Sequence, residues 1–213
     1  MKIAILSEAP ADEAAIRILV GALLGREAEP VAGPHLRSRG WQSTMNVLPA
    51  VLKHLHYQTD AQGLVVIVDS DSSPVHEDQH DTPGGADPKC RICRLVQIAQ
   101  ATVGELKDLP GREAVRIAFG QAVPAIEAWY RCGIDSRVTE FAWKDGLRRG
   151  GGSYSVAGLK RDVYGSDRPG LDLLMARAVE EATRLTQELD RLEADFPYGF
   201  GLLAREVRGW ITP

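Results

Sequence analysis

Two aspartates that directly follow a strongly apolar run are the residues of this chain best suited to bind a metal ion. Residues 64–68 are all aliphatic and end in Asp69-Ser70-Asp71. Residues i and i+2 of an extended chain point the same way, so both carboxylates can meet one ion. Mg²⁺ is usually held by one or two carboxylates together with a substrate phosphate. The pair therefore predicts a Mg²⁺ or Mn²⁺ site.

Two further acids are expected at the same edge of the molecule. Glu8 follows the apolar run 2–6, and Glu127 follows a strand predicted at 114–119. Ligands of parallel sheets gather outside the carboxyl ends of the strands. We therefore expect Glu8 and Glu127 to join the two aspartates, with Glu8 transferring a proton in phosphoryl chemistry. Glu8 also has a structural interpretation, as an acid near the N-terminus of the next helix.

A second set of metal-binding residue types lies in the polar stretch after Asp71. The order is His76, His80, Cys90 and Cys93, and Cys-x-x-Cys with two histidines is the ligand set of a closed Zn²⁺ site. Zinc would supply folding energy to a loop with almost no apolar residues. Two alternatives stay open: the cysteines sit one turn apart at a helix start while the histidines are solvated, or the loop acids extend the Mg²⁺ site. Those acids are Glu77, Asp78, Asp81 and Asp87.

The hydrophobic periodicity places these residues on an alternating pattern of strands and helices. Helices are predicted at 12–24, from Ser43 or Thr44 to 57, at 91–106 and from 124 onward, between strands at 2–6, 64–68 and 114–119. This pattern predicts an α/β, Rossmann-like, mostly parallel sheet flanked by helices. We assign residues 1–135 to this domain, with an inserted loop at 72–90. Residues 136–213 are predicted to form a helical C-terminal extension packed on the same domain, with helices near 156–163, 171–191 and 199–210.

Composition narrows the classes of protein and of partner. The chain has 213 residues and a formal net charge of −4, so no strongly basic face indicates nucleic acid, although local patches can still bind a polyanion. The candidates for binding phosphate are Arg148, Arg149, Lys160 and Arg161. The first apolar run is too short for a signal peptide or a membrane span, so we expect a cytoplasmic protein without a membrane partner. Three cysteines suit metal or thiol chemistry in a reducing compartment.

The segment from Glu8 to Glu13 after a first strand, with Asp69-Ser70-Asp71 after a later one, resembles the TOPRIM fold of topoisomerases, bacterial primases and overcoming-lysogenization-defect nucleases. The later segment 122–129 is similar to a stand-alone bacterial TOPRIM-like family of uncharacterised proteins, some of them associated with phage defence. The resemblance covers roughly residues 1–130. It implies that Glu8 acts as general acid or base, that Asp69 and Asp71 bind Mg²⁺, and that Glu127 is a fourth participant.

The resemblance favours a metal-dependent nuclease, because strand transfer would also need a tyrosine from another domain. The chain departs from the family pattern at Ala9, where the family usually has glycine, and at Ala11. One alternative is therefore a non-catalytic binding or sensor subunit for a nucleotide, nucleic acid or protein. Another is a doubly wound phosphatase or phosphotransferase that uses Asp69 as its nucleophile.

Overall fold

The computed structural model describes residues 1–31, 40–152 and 154–211. Its centre is a four-stranded parallel sheet, in the order β2-β1-β3-β4, which confirms the predicted α/β class. The strands are β1 (Lys2–Leu6), β2 (Glu29–Pro30), β3 (Gly63–Asp69) and β4 (Arg116–Ala122). The predicted loop or short strand between 29 and 40 is described only at its start, since residues 32–39 lie outside the described ranges.

Three helices connect the strands, and six more follow β4 in the described part of the chain. The connecting helices are α1 (Pro10–Leu24), α2 (Gly40–Gln58) and α3 (Arg91–Gly104). The others are α4 (Ile126–Tyr130), α5 (Glu140–Arg149), α6 (Val156–Tyr164), α7 (Leu171–Leu185), α8 (Leu189–Asp195) and α9 (Phe200–Gly209). A short 3₁₀ helix, Asp78–Asp81, lies in the loop between β3 and α3.

Strand β3 is apolar up to Val68 because helices cover both faces of the sheet. Val65 and Ile67 share one buried cluster with residues of α1, α7 and α9. Leu64, Val66 and Val68 alternate with them and share the other cluster with residues of α2 and α3. Burial of both faces explains the continuous apolar run in the sequence of this strand. Asp69 follows at the carboxyl end of the strand.

The chain order of the strands reverses next to β1. From β1 the chain passes to β2 on one side and then to β3 on the other. Leu6 is in register with Val66, so Glu8, two residues further on, lies level with the end of β3. Asp69 is itself in register with Ala122 at the end of β4. A reversal of this kind opens a crevice at the carboxyl ends of the strands, where doubly wound sheets bind their ligands.

The C-terminal helices pack directly on this sheet. Helix α9 contacts β4 and α7 contacts α1, and their apolar residues belong to the same cluster as Val65. The Glu206 carboxylate on α9 accepts a hydrogen bond of 2.6 Å from the backbone N–H of Phe119. This bond satisfies a backbone donor that the edge strand β4 would otherwise leave without a partner strand. None of the described helices has the length and apolarity needed to cross a membrane.

Two helix predictions differ from the structure. The helix predicted at 171–191 is interrupted, because α7 ends at Leu185 and α8 begins at Leu189; no glycine or proline marks this break in the sequence. Helix α5 was not predicted at all. Its buried residues are Glu140, Trp143 and Gly146, which do not form an apolar stripe.

Candidate functional site

Glu8 and Asp69 meet at the crevice between β1 and β3. The Glu8 side chain accepts a hydrogen bond of 3.1 Å from the backbone N–H of Asp69. Burial raises the pKa of Glu8, while this N–H and the charge of Arg91 act in the opposite direction. Glu8 and Asp69 therefore lie next to each other, as expected for acids at the ends of adjacent parallel strands.

Asp69 lies at the centre of the acidic group. Its Oδ1 accepts a hydrogen bond of 3.2 Å from the backbone N–H of Ile126, the first residue of α4. Burial, followed by the charges of neighbouring carboxylates, raises the pKa of Asp69 well above its usual value. Those neighbours are Asp12, Glu127, Glu8 and Asp71. Carboxylates that disfavour one another's ionisation in this way are stabilised by a cation.

Asp71 reaches the site by a turn and not along an extended strand. Its φ is +48°, and its backbone N–H donates a hydrogen bond of 2.9 Å to the carbonyl of Pro124. The expected extended geometry of the Asp-x-Asp pair is therefore wrong, since the chain bends after β3. The side chain of Asp71 is 51% exposed, so this carboxylate is open to solvent.

Arg91, the first residue of α3, supplies a cation to the same group. Its guanidinium donates hydrogen bonds of 2.7 Å to the carbonyl of Asp69 and 2.8 Å to the Asp71 carboxylate, with a longer one of 3.4 Å to Glu8. The guanidinium also lies over the ring of Trp41 at 5.3 Å. No pattern of residues indicates this role, because it depends on the approach of α3 to the ends of β1 and β3.

Asp12 is a fifth acid of the cluster, and it was missed as a site residue. Burial, then the charges of Glu127 and Glu8, raise the pKa of Asp12 to about 7, whereas the charge of Lys160 lowers it. Asp12 lies in the first turn of α1, four residues after Glu8, which precedes the helix. The only indication in the sequence was its position close to Glu8. An acid in the first turn of a helix is common, however, because it interacts favourably with the helix dipole.

Glu127 lies on α4 and is 4% exposed. Burial raises the pKa of Glu127, although the charge of Lys160 and the hydroxyl of Tyr164 favour the carboxylate. The four predicted acids and Asp12 therefore interact as one group, which we call the acidic cluster: Glu8, Asp12, Asp69, Asp71 and Glu127.

Of the four candidate phosphate-binding residues, the structure brings Lys160 to the acidic cluster. Arg148 and Arg161 are exposed, and Arg149 pairs with Asp145 at 2.9 Å on its own helix. Lys160 lies on α6, beyond the part of the chain covered by the TOPRIM resemblance. The C-terminal helices thus contribute a charge to the site.

Tyr130 forms a buried wall of the acidic cluster. Its side chain is 1% exposed, and its hydroxyl has no hydrogen-bond partner among the described residues. Burial and the nearby charge of Asp12 hold the pKa of Tyr130 well above its usual value. An unpartnered buried hydroxyl beside mutually repelling carboxylates is suited to a hydrated cation, whose waters can donate and accept hydrogen bonds. The donor set therefore fits Mg²⁺ or Mn²⁺.

The loop histidines and cysteines form a separate group, which we call the His/Cys cluster: His76, His80, Cys90 and Cys93. One potential ligand atom from each residue lies within 4.8 Å of every other. His76 is buried, so the alternative with both histidines solvated does not hold.

The acids of the same loop have other partners, which does not support the alternative that they extend the acidic cluster. Glu77 pairs with Lys144, Asp78 lies 3.9 Å from Arg205, Asp81 contacts His76 at 3.1 Å, and Asp87 accepts a hydrogen bond from the backbone of Lys89.

Comparison with protein-family models, with curated proteins and with solved structures found no match to this chain. Membership of the TOPRIM-like family therefore stays a prediction from the sequence.

Proposed function

We propose that the acidic cluster binds Mg²⁺ or Mn²⁺ and that the protein catalyses phosphoryl transfer, with hydrolysis of a nucleic acid phosphodiester as its reaction. The observation that carries the proposal is the meeting of Glu8 and Asp69 at the reversal of strand order, through a hydrogen bond of 3.1 Å. Ligand sites of doubly wound sheets lie at this point.

Asp69 and Asp71 are the residues that would hold the ion. The hydrogen bond from the N–H of Ile126 holds the Asp69 carboxylate in place. Asp71 is half exposed, so its carboxylate is accessible to a substrate. A bound divalent ion would polarise the scissile phosphate and stabilise the charge that develops on it. Glu127 and Asp12 add negative charge behind Asp69, which raises the affinity of the cluster for a cation.

Glu8 is the proposed general acid or base. Burial raises its pKa towards neutral pH. A general acid or base transfers protons most efficiently when its pKa is near the pH at which the enzyme works. Glu8 is also oriented, because its carboxylate accepts the N–H of Asp69 and contacts Arg91 at 3.4 Å. Arg91 hydrogen-bonds to the cluster and the charge of Lys160 acts on it, so both are candidates to contact a substrate phosphate.

Ala9 is unstrained in the turn between β1 and α1. Ala9 occupies the position where the resembling family usually has glycine, a residue that lets a phosphate approach the backbone closely. Ala9 has φ −149° and ψ 152°, an extended conformation that any residue adopts. The substitution therefore needs no distortion of the turn between β1 and α1.

The choice of nucleic acid as substrate, and a role in phage defence, come from the TOPRIM resemblance. The open side of the cluster at Asp71 is compatible with a polymer. Single-stranded DNA, duplex DNA and RNA are therefore the first substrates to test.

A second candidate function is a non-catalytic binding or sensor subunit. The ion pairs of Arg91 with Asp71 and Glu8 favour it, because the guanidinium already neutralises part of the charge that a metal ion would meet. In that case the crevice would bind a nucleotide, a nucleic acid or a protein without cleaving it.

Calorimetric titration of Mn²⁺ tests the metal site without a substrate. We expect binding to the wild-type protein and its loss in the double variant Asp69→Ala, Asp71→Ala. The double variant Asp167→Ala, Asp172→Ala is the matched control, since it removes the same charge from two exposed acids near the start of α7. Binding that survives in the first variant would contradict the proposed site.

Nuclease assays with the three nucleic acids then distinguish the two functions. The enzyme predicts cleavage that needs Mg²⁺ or Mn²⁺ and disappears in the variant Glu8→Gln while Mn²⁺ binding remains. Metal binding without cleavage of any of these substrates would favour the binding or sensor subunit.

A further inference from the structure

We infer that the His/Cys cluster is a closed, tetrahedral Zn²⁺ site that organises the loop between β3 and α3. Its four ligands are His76, His80, Cys90 and Cys93, and together they form a Cys₂His₂ set. This site is distinct from the acidic cluster and does not depend on the function proposed for it.

The two distances from His76 to the cysteines match a tetrahedron around zinc. Nδ1 of His76 lies 3.6 Å from Sγ of Cys90 and 3.6 Å from Sγ of Cys93. Zinc bonds of about 2.3 Å to sulfur and about 2.0 to 2.1 Å to nitrogen, at tetrahedral angles, place N and S about 3.6 Å apart. The spacing therefore leaves room for one ion between the three atoms.

In the metal-free protein the side chains of Cys90 and Cys93 hydrogen-bond to each other, and zinc would replace this contact with bonds to the metal. Nε2 of His76 lies 3.1 Å from Oδ1 of Asp81, so the tautomer that donates to this carboxylate has its free lone pair on Nδ1. That one lone pair faces two sulfur atoms at equal distance and can accept a hydrogen bond from a single thiol. A zinc ion bound to Nδ1 and to both thiolates satisfies all three atoms.

Asp81 gives the cluster the usual outer partner of a zinc-bound histidine. Such histidines donate their second ring nitrogen to a carboxylate or carbonyl, which fixes the ring and increases its basicity. Asp81 ends the short 3₁₀ helix Asp78–Asp81, which also contains His80. This turn of helix thus supplies one ligand and orients another.

His80 provides an independent indication of a ligand. Its Nδ1 is buried and has no hydrogen-bond partner in the described residues. The rings of His76 and His80 lie 5.3 Å apart, between centroids, and are inclined by 74°. Two imidazoles bound to one ion can adopt such an edge-to-face arrangement.

The surrounding loop has few apolar contacts, although Gln121 and Lys144 hold it by polar ones. The 3₁₀ helix buries no residue, and Val75 is the buried aliphatic residue near its start. The other two ligands lie at the start of α3, where Cys90 is the N-cap and Cys93 lies three residues further on. Residues three apart share a helix face. Zinc would therefore join the loop to α3 and supply folding energy that the loop lacks.

The metal content of the purified protein tests the inference directly. We expect about one zinc per chain by mass spectrometry, and tetrahedral Co²⁺ spectra with thiolate charge transfer when cobalt replaces zinc. Cys93→Ser should lose both signals. Cys132→Ser is the matched control, because Cys132 is also buried but lies outside the cluster, 3.4 Å from Asp195.

A milder variant keeps the test informative if Cys93→Ser does not fold. Asp81→Asn retains all four ligands and should weaken zinc binding by about 10- to 100-fold, measured by competition with a chelating dye. Absence of zinc from the wild-type protein together with no tetrahedral Co²⁺ spectrum would overturn the inference, and so would unchanged zinc affinity in Asp81→Asn. These readouts need no Mg²⁺ or nucleic acid, so they are independent of the outcome at the acidic cluster.

Discussion

Arg91 donates a hydrogen bond of 2.8 Å from Nη2 to Oδ2 of Asp71, and thereby joins α3 to the chain that leaves β3. The backbone of Arg91 lies between Cys90 and Cys93, whereas its guanidinium lies among the carboxylates of the acidic cluster. A single residue therefore connects the two proposed metal sites. Whether its guanidinium supports or competes with a bound ion determines how the sites influence one another.

We expect Arg91→Ala to destabilise the metal-free protein by about 2 kcal/mol, because the partly buried Glu8 loses its cation. The same change should strengthen Mn²⁺ binding by about tenfold, since a positive charge leaves the site. Urea denaturation and calorimetry measure the two effects.

Arg94→Ala is the matched control for Arg91→Ala. Arg94 lies over the same Trp41 ring, at 5.5 Å, but has no carboxylate partner among the described residues. Weaker Mn²⁺ binding in Arg91→Ala would show that the guanidinium supports the metal site and does not compete with it.

Asp12→Asn should weaken Mn²⁺ binding by about tenfold, because it removes a partly buried carboxyl that would ionise next to a bound cation. Glu13→Gln removes the same charge from the same turn of α1, but its carboxylate interacts with Arg17. We expect little change in Mn²⁺ affinity from this control. Equal effects of the two variants would mean that only the net charge matters.

The sequence predicted the positions of the acids better than their geometry. The apolar runs before Glu8 and Asp69 indicate two buried strands, and parallel strands necessarily present their carboxyl ends together. The bend at Asp71 could not be predicted, because it depends on a hydrogen bond from its N–H to Pro124, 53 residues later. Local propensity contains no information on such a contact.

The residues that were missed have the same physical explanation. Tyr130 is the last residue of α4 and Arg91 is the first residue of α3, and neither position is unusual in sequence. Both residues reach the acidic cluster because of how these helices pack. Lys160 was a predicted phosphate-binding candidate, but its place at the cluster could not be predicted because its helix lies more than 30 residues beyond Glu127. The His/Cys cluster could be anticipated because metal ligands are chemically distinctive residues at short spacings.

Glu140 should make stability depend on pH. Burial raises its pKa from 4.5 to about 7, although its carboxylate accepts backbone hydrogen bonds from Tyr198 and Gly199. The folded protein thus retains this proton to higher pH than the unfolded chain does. The resulting stabilisation is complete below about pH 4.5 and is lost as pH rises through about 7, by up to about 3 kcal/mol.

Urea denaturation at pH 5 and pH 8 tests this dependence by comparing the wild-type protein with Glu140→Gln. The variant should be more stable relative to wild type at pH 8 than at pH 5. Glu113→Gln, at an acid whose side chain is 88% exposed, should show no such difference. A pH-independent effect of Glu140→Gln would indicate that the carboxyl does not titrate in this range.

Removal of zinc should alter Mn²⁺ binding at the acidic cluster through Arg91. The two zinc ligands Cys90 and Cys93 fix the start of α3, so their release should loosen the guanidinium from Asp71 and Glu8. Mn²⁺ affinity should then rise towards that of Arg91→Ala, and zinc removal should have no further effect in that variant. Calorimetry on the wild type and Arg91→Ala, each with and without zinc, provides the four affinities of a double-mutant cycle. Equal effects of zinc removal in both proteins would show that Arg91 does not couple the two sites, because only the wild type has the guanidinium.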